Sequence, residues 1–279
     1  MSQDSALGAP DTGGRCTQVV GLWAVPRSVS TAFEKTFACR TDTDVVHEPF
    51  TDCYYFGPHR RSHRYGDLSE SASYDGRAAS EQVLSVAAPV VFVKDLAFQA
   101  GPYLSDDLLS RAVNTFIIRH PKRVLPSLTP LKPDFTEEEF GYTALHALFT
   151  RVVEELGHPP VVVEGDVFRR HPEAVLRHYC GRVRLPFQRS MLDWQDGRIR
   201  RWSEGEEESQ AKWHKTLEAS HTILPPDDDA RIVVPPERRA QYERAVEIYE
   251  ELTPFAVPAS VSGAALEPAR PVASRSVAT

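Results

Sequence analysis

The chain lacks long apolar runs, paired cysteines and an excess of positive charge, and each absence removes a class of protein. No segment approaches the roughly twenty apolar residues of a membrane-crossing helix, so no membrane partner is expected. The four cysteines, Cys16, Cys39, Cys53 and Cys180, show neither CxxC pairing nor the Cys/His spacing of a zinc site. They read as reduced thiols of a cytoplasmic protein. The first fourteen residues have no basic start followed by an apolar stretch, which agrees with that compartment. Lys and Arg total 32 against 39 Asp and Glu, a formal net charge of −7. That balance opposes a general role on nucleic acid or anionic membranes and leaves room only for a local basic pocket. The Walker pattern G-x-x-x-x-G-K-[ST] is missing too, as is any convincing cluster of metal ligands.

What is present is ordinary for a soluble enzyme: 41% hydrophobic and 25% charged residues. With 279 residues the chain can bury about three quarters of its unfolded surface, enough for one core. Residues 1–14 and 257–279 have the aperiodic Ala/Ser/Pro/Gly/Thr composition of disordered tails, which leaves a single domain over 15–256. Continuous apolar runs recur at Val19–Val25, Val45-Val46, Val90–Val93, Val113–Ile118 and Val161–Val163, separated by helical patterns. Runs of this kind suit strands covered on both faces, and the alternation predicts an α/β fold, one parallel sheet flanked by helices.

The clearest helix opens with the capping box Thr136-Glu137-Glu138-Glu139 and continues through Leu145, Leu148, Phe149, Val152 and Leu156 to Gly157. Others are expected over Pro172–Tyr179 and over Pro236–Leu252, the latter with Tyr242, Ala245, Val246 and Tyr249 on one side. Tyr54–Arg77 and Asp196–Lys215 resist assignment and read as lids or binding loops over the carboxyl ends of the strands.

Val19–Val25 breaks at Pro26 into Arg27-Ser28-Val29-Ser30-Thr31, which predicts a strand, a tight turn and a helix whose first turn holds Ser28, Ser30 and Thr31. Unpartnered N–H groups and a positive dipole end make such a turn an anion site, to which Arg27 and the hydroxyls add grip. A second strand exit, Arg119-His120-Pro121, places Pro121 at the first helical position and Ser127 about two turns later. Arginine and serine suit a phosphate, although a plain surface arginine explains Arg119 alone as well. Glu48, in His47-Glu48-Pro49-Phe50, reads either as a proton acceptor or as a carboxylate capping the turn before Pro49.

Taken together, these motifs resemble the cytosolic-type sulfotransferases that use 3′-phosphoadenosine-5′-phosphosulfate (PAPS), and are most similar to their bacterial, small-molecule branch. The matching segments are Pro26-Arg27-Ser28-Val29-Ser30-Thr31, the pair Arg119 and Ser127, and Val163-Glu164-Gly165-Asp166-Val167-Phe168 with His171-Pro172-Glu173 and Leu185-Pro186-Phe187. The resemblance covers about residues 18–190 and implies a P-loop-like sulfotransferase fold. It implies that Arg27, Ser28, Val29, Ser30, Thr31 and Ala32 cradle the 5′-phosphosulfate and that Arg119 and Ser127 hold the 3′-phosphate. It further implies that Glu48 is the general base, with Arg27 and Lys94 at the transferred group and no metal required. The acceptor is then a small hydroxylated metabolite, with 3′,5′-ADP (PAP) as co-product.

The match has departures. Asp95, Leu96 and Ala97 follow Lys94 where relatives often carry a histidine, and Val29 replaces the usual loop glycine. Ala32 stands where many relatives place an indole, so adenine stacking falls to Phe33, to Trp202 or Trp213, or to a residue elsewhere. Lid cations Arg198, Arg200, Arg201, Lys212 and Lys215 are candidates to close over the phosphates. His59, His63, His214, Tyr54 and Tyr55 are candidates for the acceptor pocket. Two alternatives stay open: a degenerate P-loop kinase using ATP and magnesium, with Asp95 or Asp166 at the metal, and an inactive PAP-binding protein. A homodimer is equally open.

Overall fold

The apolar runs become strands of a single sheet, covered on both faces except at the partly exposed edge run Val45-Val46. In the computed structural model, which describes residues 17–65, 74–194, 220–226 and 233–260, these strands are β1 (Gln18–Ala24), β2 (Thr43–His47), β3 (Val90–Leu96), β4 (Val113–Ile118) and β5 (Val162–Glu164). They are all parallel, in the order β2-β3-β1-β4-β5. Alternation along β1 feeds two cores: Val19 and Trp23 point to one side, Val20, Leu22 and Ala24 to the other.

Helices α1 (Ser30–Ala38), α2 (Thr51–Phe56), α3 (Gly76–Leu84), α4 (Ala97–Ala100), α5 (Asp106–Arg111), α6 (Pro121–Leu128), α7 (Glu137–Phe140), α8 (Tyr142–Thr150), α9 (Gly165–Arg170), α10 (Pro172–Arg182) and α11 (Arg239–Leu252) cover the sheet. Phe33 and Phe37 of α1 join Phe168 of α9 and Tyr179 of α10 on one face. Leu108, Val124, Leu145, Ala245 and Ile248, from α5, α6, α8 and α11, fill the other. No described helix is long and apolar enough to cross a membrane.

The expected helix from Thr136 to Leu156 is interrupted. Its capping box forms as read, but Gly141 at φ 87 ends α7 and starts α8, and Arg151–Glu155 widens into a π-helical turn. The buried stripe of α11 is Ala245, Ile248 and Leu252, so Ile248 takes the central place and Tyr242, Val246 and Tyr249 lie at its margins. The unassigned Tyr54–Arg77 stretch begins and ends in helix, in α2 and α3. Residues 1–14 and Asp196–Lys215 lie outside the described residues. Val257, where the sequence places the start of a tail, is buried and donates its N–H to Val162 O at 2.9 Å.

The register brings the carboxyl ends of the strands to one edge, pairing Ala24 with Leu96 and Ile117, and His47 with Lys94. From β1 the chain turns one way to β2, while β4 and β5 lie on the other side, so the switch in direction falls beside β1, where open parallel sheets form their binding crevice. Gly141 backs this edge: a Cβ there would come 2.5 Å from Pro26 Cδ, on a backbone already at φ 87. Gly141→Ala is therefore expected to destabilise the fold by about 1–3 kcal/mol, read as a lower urea midpoint at unchanged m-value; an unchanged midpoint contradicts this packing account.

Candidate active site

The turn after β1 is held in a conformation that glycine usually supplies. Arg27 and Val29 both have positive φ, 59° and 71°, and Val29 is the N-cap of α1. The first intrahelical bond of α1 runs from Phe33 N–H to Val29 O at 3.1 Å. The N–H groups of Ser30, Thr31 and Ala32 precede it and point out of the helix end as donors, with the dipole adding positive potential. Successive N–H groups in such a left-handed turn form a concave anion nest.

Two strand exits converge on this turn. Arg27 Nε donates to Ser127 Oγ of α6 at 2.9 Å, and Arg119 Nη1 reaches the Arg27 carbonyl at 3.4 Å. Asp166 of α9 aligns the Arg119 fork, accepting from Nε at 3.0 Å and lying 2.8 Å from Nη2, while Arg123 approaches its other oxygen at 3.7 Å. Burial, and then the Arg119 charge, lower the pKa of Arg27. Arg169, on the same cavity wall, is shifted the same way by burial and by Arg119. This corner holds more positive charge than its own carboxylates balance, a setting that favours an anion.

The second centre lies across the β2–β3 edge. Glu48 sits at φ 43 with its N–H donating to Lys94 O at 2.7 Å, and its carboxylate forms a direct ion pair with Lys94 Nζ. Lys94 Nζ is also 4.0 Å from the fully buried Glu34, whose two oxygens lie 2.9 and 2.8 Å from His47 Nδ1. Burial opposes the Lys94 ammonium, but Glu48 and Glu34 outweigh it and the pKa rises above the usual lysine value. Asp95 behaves oppositely: burial and the Glu48 charge push its pKa well up, although its oxygens accept from Phe50 N–H at 2.9 Å and Leu96 N–H at 2.7 Å.

Both centres open into one cavity of about 450 Å³, within the usual range for small-molecule sites. Its remaining wall combines Tyr55, Tyr65, Leu96 and Phe98 with polar side chains that include Thr51 and Gln99. Lys132 stands there, 2.7 Å from Glu139 and 3.2 Å from Tyr55 Oη.

Of the residues the sequence singled out, Arg27, Val29, Ser30, Thr31, Ala32, Glu48, Lys94, Arg119 and Ser127 all line this cavity. Ser28 departs from the expectation: α1 begins two residues later, and Ser28 is fully buried away from the cavity, its Oγ without a partner. Ser127 meets Arg27 rather than Arg119 in this structure. Phe33 cannot stack on an adenine, because it is fully buried against Phe168 and Tyr179 with centroids at 4.9 and 4.8 Å. Among the acceptor-pocket candidates Tyr55 lines the cavity, Tyr54 packs behind it against Phe98, and His59 and His63 are not among its lining residues. Trp202, Trp213, His214, Arg198, Arg200, Arg201, Lys212 and Lys215 lie outside the described residues. The carboxylates a kinase reading needs for magnesium are engaged elsewhere, Asp95 by backbone N–H groups and Asp166 by arginines. Glu34, Thr51, Gln99, Lys132 and Glu139 were not anticipated; a carboxylate amid the apolar face of α1 was the one available signal, for Glu34.

Two curated Arabidopsis thaliana proteins, branched-chain-amino-acid aminotransferase-like proteins 2 and 1, are 29% and 31% identical over 184 residues. That stretch is 65% of this chain and 33% of theirs, so the chain spans about a third of the length of these relatives. The sulfotransferase domain from the Synechococcus PCC 7002 olefin synthase superposes with a TM-score of 0.46 at 16% identity, over 88% of this chain and 98% of that one. The profile of the sulfotransferase domain matches residues 18–244. Because that match runs from the first residue of β1 into α11 and takes in both strand exits and Glu48, the chain belongs to the sulfotransferase-domain family.

Proposed function

We propose that the protein transfers the sulfuryl group of PAPS to a hydroxyl, or an amine, of a small acceptor, releasing PAP. The observation that carries this reading is the convergence of Arg27 and Arg119 at the N-terminus of α1, with Glu48 and Lys94 in the same cavity. The family supports the reaction type; the donor, the base and the acceptor class are argued from the residues. The three described cysteines are free thiols, which supports a reducing, cytoplasmic setting.

In the mechanism, the backbone donors of Ser30–Ala32 and the hydroxyls of Ser30 and Thr31 hold the 5′-phosphate of the donor. Arg119, kept in line by Asp166, faces the 3′-phosphate, and Arg27 with Ser127 bridges the two ends. Glu48 accepts the proton of the acceptor hydroxyl as its oxygen bonds to sulfur. The bond from sulfur to the bridging oxygen breaks, and the charge gathering on that oxygen is met by Arg27 and Lys94. Lys94 is fit for this because Glu48 and Glu34 hold it as an ammonium. In-line positioning and preorganised cations supply the bulk of such catalysis.

Radiolabelled PAPS offered with a panel of small alcohols, phenols and amines tests the reaction, and an absence of labelled product from every acceptor class counts against it. Glu48→Gln is expected to keep PAP binding by calorimetry while turnover falls roughly 10²–10⁴-fold; near-wild-type turnover removes Glu48 from the base role. Arg119→Ala should erase most of the preference for PAP over 5′-AMP, a loss on the order of 1.5–3 kcal/mol for a charge-assisted contact. Intact discrimination by the alanine variant assigns the 3′-phosphate elsewhere.

A further inference from the structure

We propose that Thr51 and Gln99 form a polar subsite beside Glu48, and that the acceptor is a neutral ring compound bearing a second hydrogen-bonding group, hydroxyl or amine, near the hydroxyl that is sulfated. The inference rests on the sulfuryl-transfer reading of this cavity and adds what the acceptor must carry.

Gln99 is 4% exposed and lines the cavity, yet among the described residues its Oε1 has no hydrogen-bond partner. Thr51 lines the same cavity, and its buried Oγ1 is likewise unpartnered. Polar atoms buried in native structures are nearly always paired, and an unpaired one carries its full desolvation penalty. Two such atoms on one cavity mark a place where a bound molecule brings the missing partners. Their position ties them to the base: Thr51 opens α2, its N–H donating to Glu48 O at 3.2 Å, and Gln99 lies on α4, immediately beyond the strand that carries Lys94. Helices α2 and α4 pack together, so the two side chains approach the cavity from adjoining walls.

The surroundings fix the rest of the acceptor. Tyr55, Leu96 and Phe98 present apolar, largely flat surface to the same space, which suits a ring. Lys132, 5.6 and 5.9 Å from the Tyr55 and Phe98 ring centroids, is already met by Glu139 at 2.7 Å, and Arg64 adds a second cation to Glu139 at 2.9 Å. Lys94 is met by Glu48. The cations of this half thus have carboxylate partners, whereas the groups still lacking partners are a neutral amide and a neutral hydroxyl. A neutral second group on the acceptor matches them; a carboxylate would have to displace Glu139 or Glu48.

The test measures kcat/KM of the full chain with labelled PAPS for two matched pairs, phenol with catechol and cyclohexanol with trans-cyclohexane-1,2-diol, and for 3-hydroxybenzoate. The diol of at least one pair is expected to exceed its mono-ol by roughly tenfold or more, because a site built to pair with a second polar group rejects the analogue lacking it. Gln99→Leu and Thr51→Val are each expected to bring that ratio toward one, with PAP affinity by calorimetry confirming a folded donor site. A wild-type ratio near one, which is the result if water alone serves these atoms, overturns the subsite. So does a preference for 3-hydroxybenzoate, a ratio unmoved in both variants, or an enzyme that binds PAP and sulfates no neutral probe. Absence of PAP binding overturns the sulfuryl-transfer reading itself, and the subsite with it.

Discussion

The left-handed turn between β1 and α1 is the constraint on which the rest of the molecule depends. A β-branched residue at positive φ is a genuine outlier for an L-amino acid, and here Val29 adopts it two residues after Arg27 does the same. Such strain persists only where neighbours over-determine it, and the neighbours are identifiable. Gly141 leaves room for the Pro26 ring, and Gly165 leaves room for the Ser28 carbonyl, which an added Cβ would approach to 2.5 Å. Phe33 and Phe37 anchor the helix that follows in the core. The anion nest is thus enforced by packing on both sides of the loop, and a side chain stands where related loops rely on glycine.

Charge is distributed around that turn so that each half of the cavity has a different deficit. On the donor side, Arg119 and Arg123 share Asp166 as a close carboxylate, Arg27 and Arg169 line the same wall, and burial withdraws water from Arg27. On the acceptor side, carboxylates match cations closely: Glu48 and Glu34 around Lys94, Glu139 around Lys132 and Arg64. A dianionic or more highly charged donor is drawn to the first region and an uncharged body to the second. The Glu48–Lys94 pair lines the same cavity, and in the proposed reaction it is there that the acceptor oxygen gives up its proton and negative charge collects on the leaving oxygen. Asp95 completes the arrangement in a structural role, since burial favours its neutral form and its oxygens tie the turn after Glu48 to the end of β3.

The fold was legible because its signals are local. All five strands lie at apolar runs; the runs of β1, β3, β4 and β5 are continuous because a strand buried on both faces has little other composition open to it, while the edge strand β2 carries only Val45-Val46. The turn after Val25 and the proline-started helix after His120 were legible for the same reason, each being written in a few adjacent residues. Ser28 was misread because a serine at a helix start and a serine in the turn before it look alike in sequence; which one it is depends on Val29 taking the left-handed region. Phe33 was misplaced because an aromatic beside a phosphate loop can face a ligand or the sheet, and helical phase in the folded state decides. Gly141 split a helix whose apolar spacing continues without a break, because the packing of Pro26 against that glycine is a long-range contact.

The acceptor half was illegible for a deeper reason. Donor recognition, as proposed, uses backbone N–H groups and arginines at strand ends, which a parallel sheet brings to the same edge, so a short motif can announce it. The proposed acceptor wall draws on side chains from α2, α4, the segment after α6 and α7, with no fixed spacing among Thr51, Gln99, Lys132 and Glu139. Each is unremarkable alone: Gln99 sits in a four-residue helix and Glu139 completes a capping box. Their meaning arises from the pairing that folding gives or withholds. Glu139 is satisfied three times over, by Thr136, Arg64 and Lys132, and becomes a structural hub. Gln99 lines the same cavity with its carbonyl unmatched among the described residues, and it is that difference in satisfaction, invisible in sequence, that separates a residue holding the wall together from one that the proposed acceptor would meet.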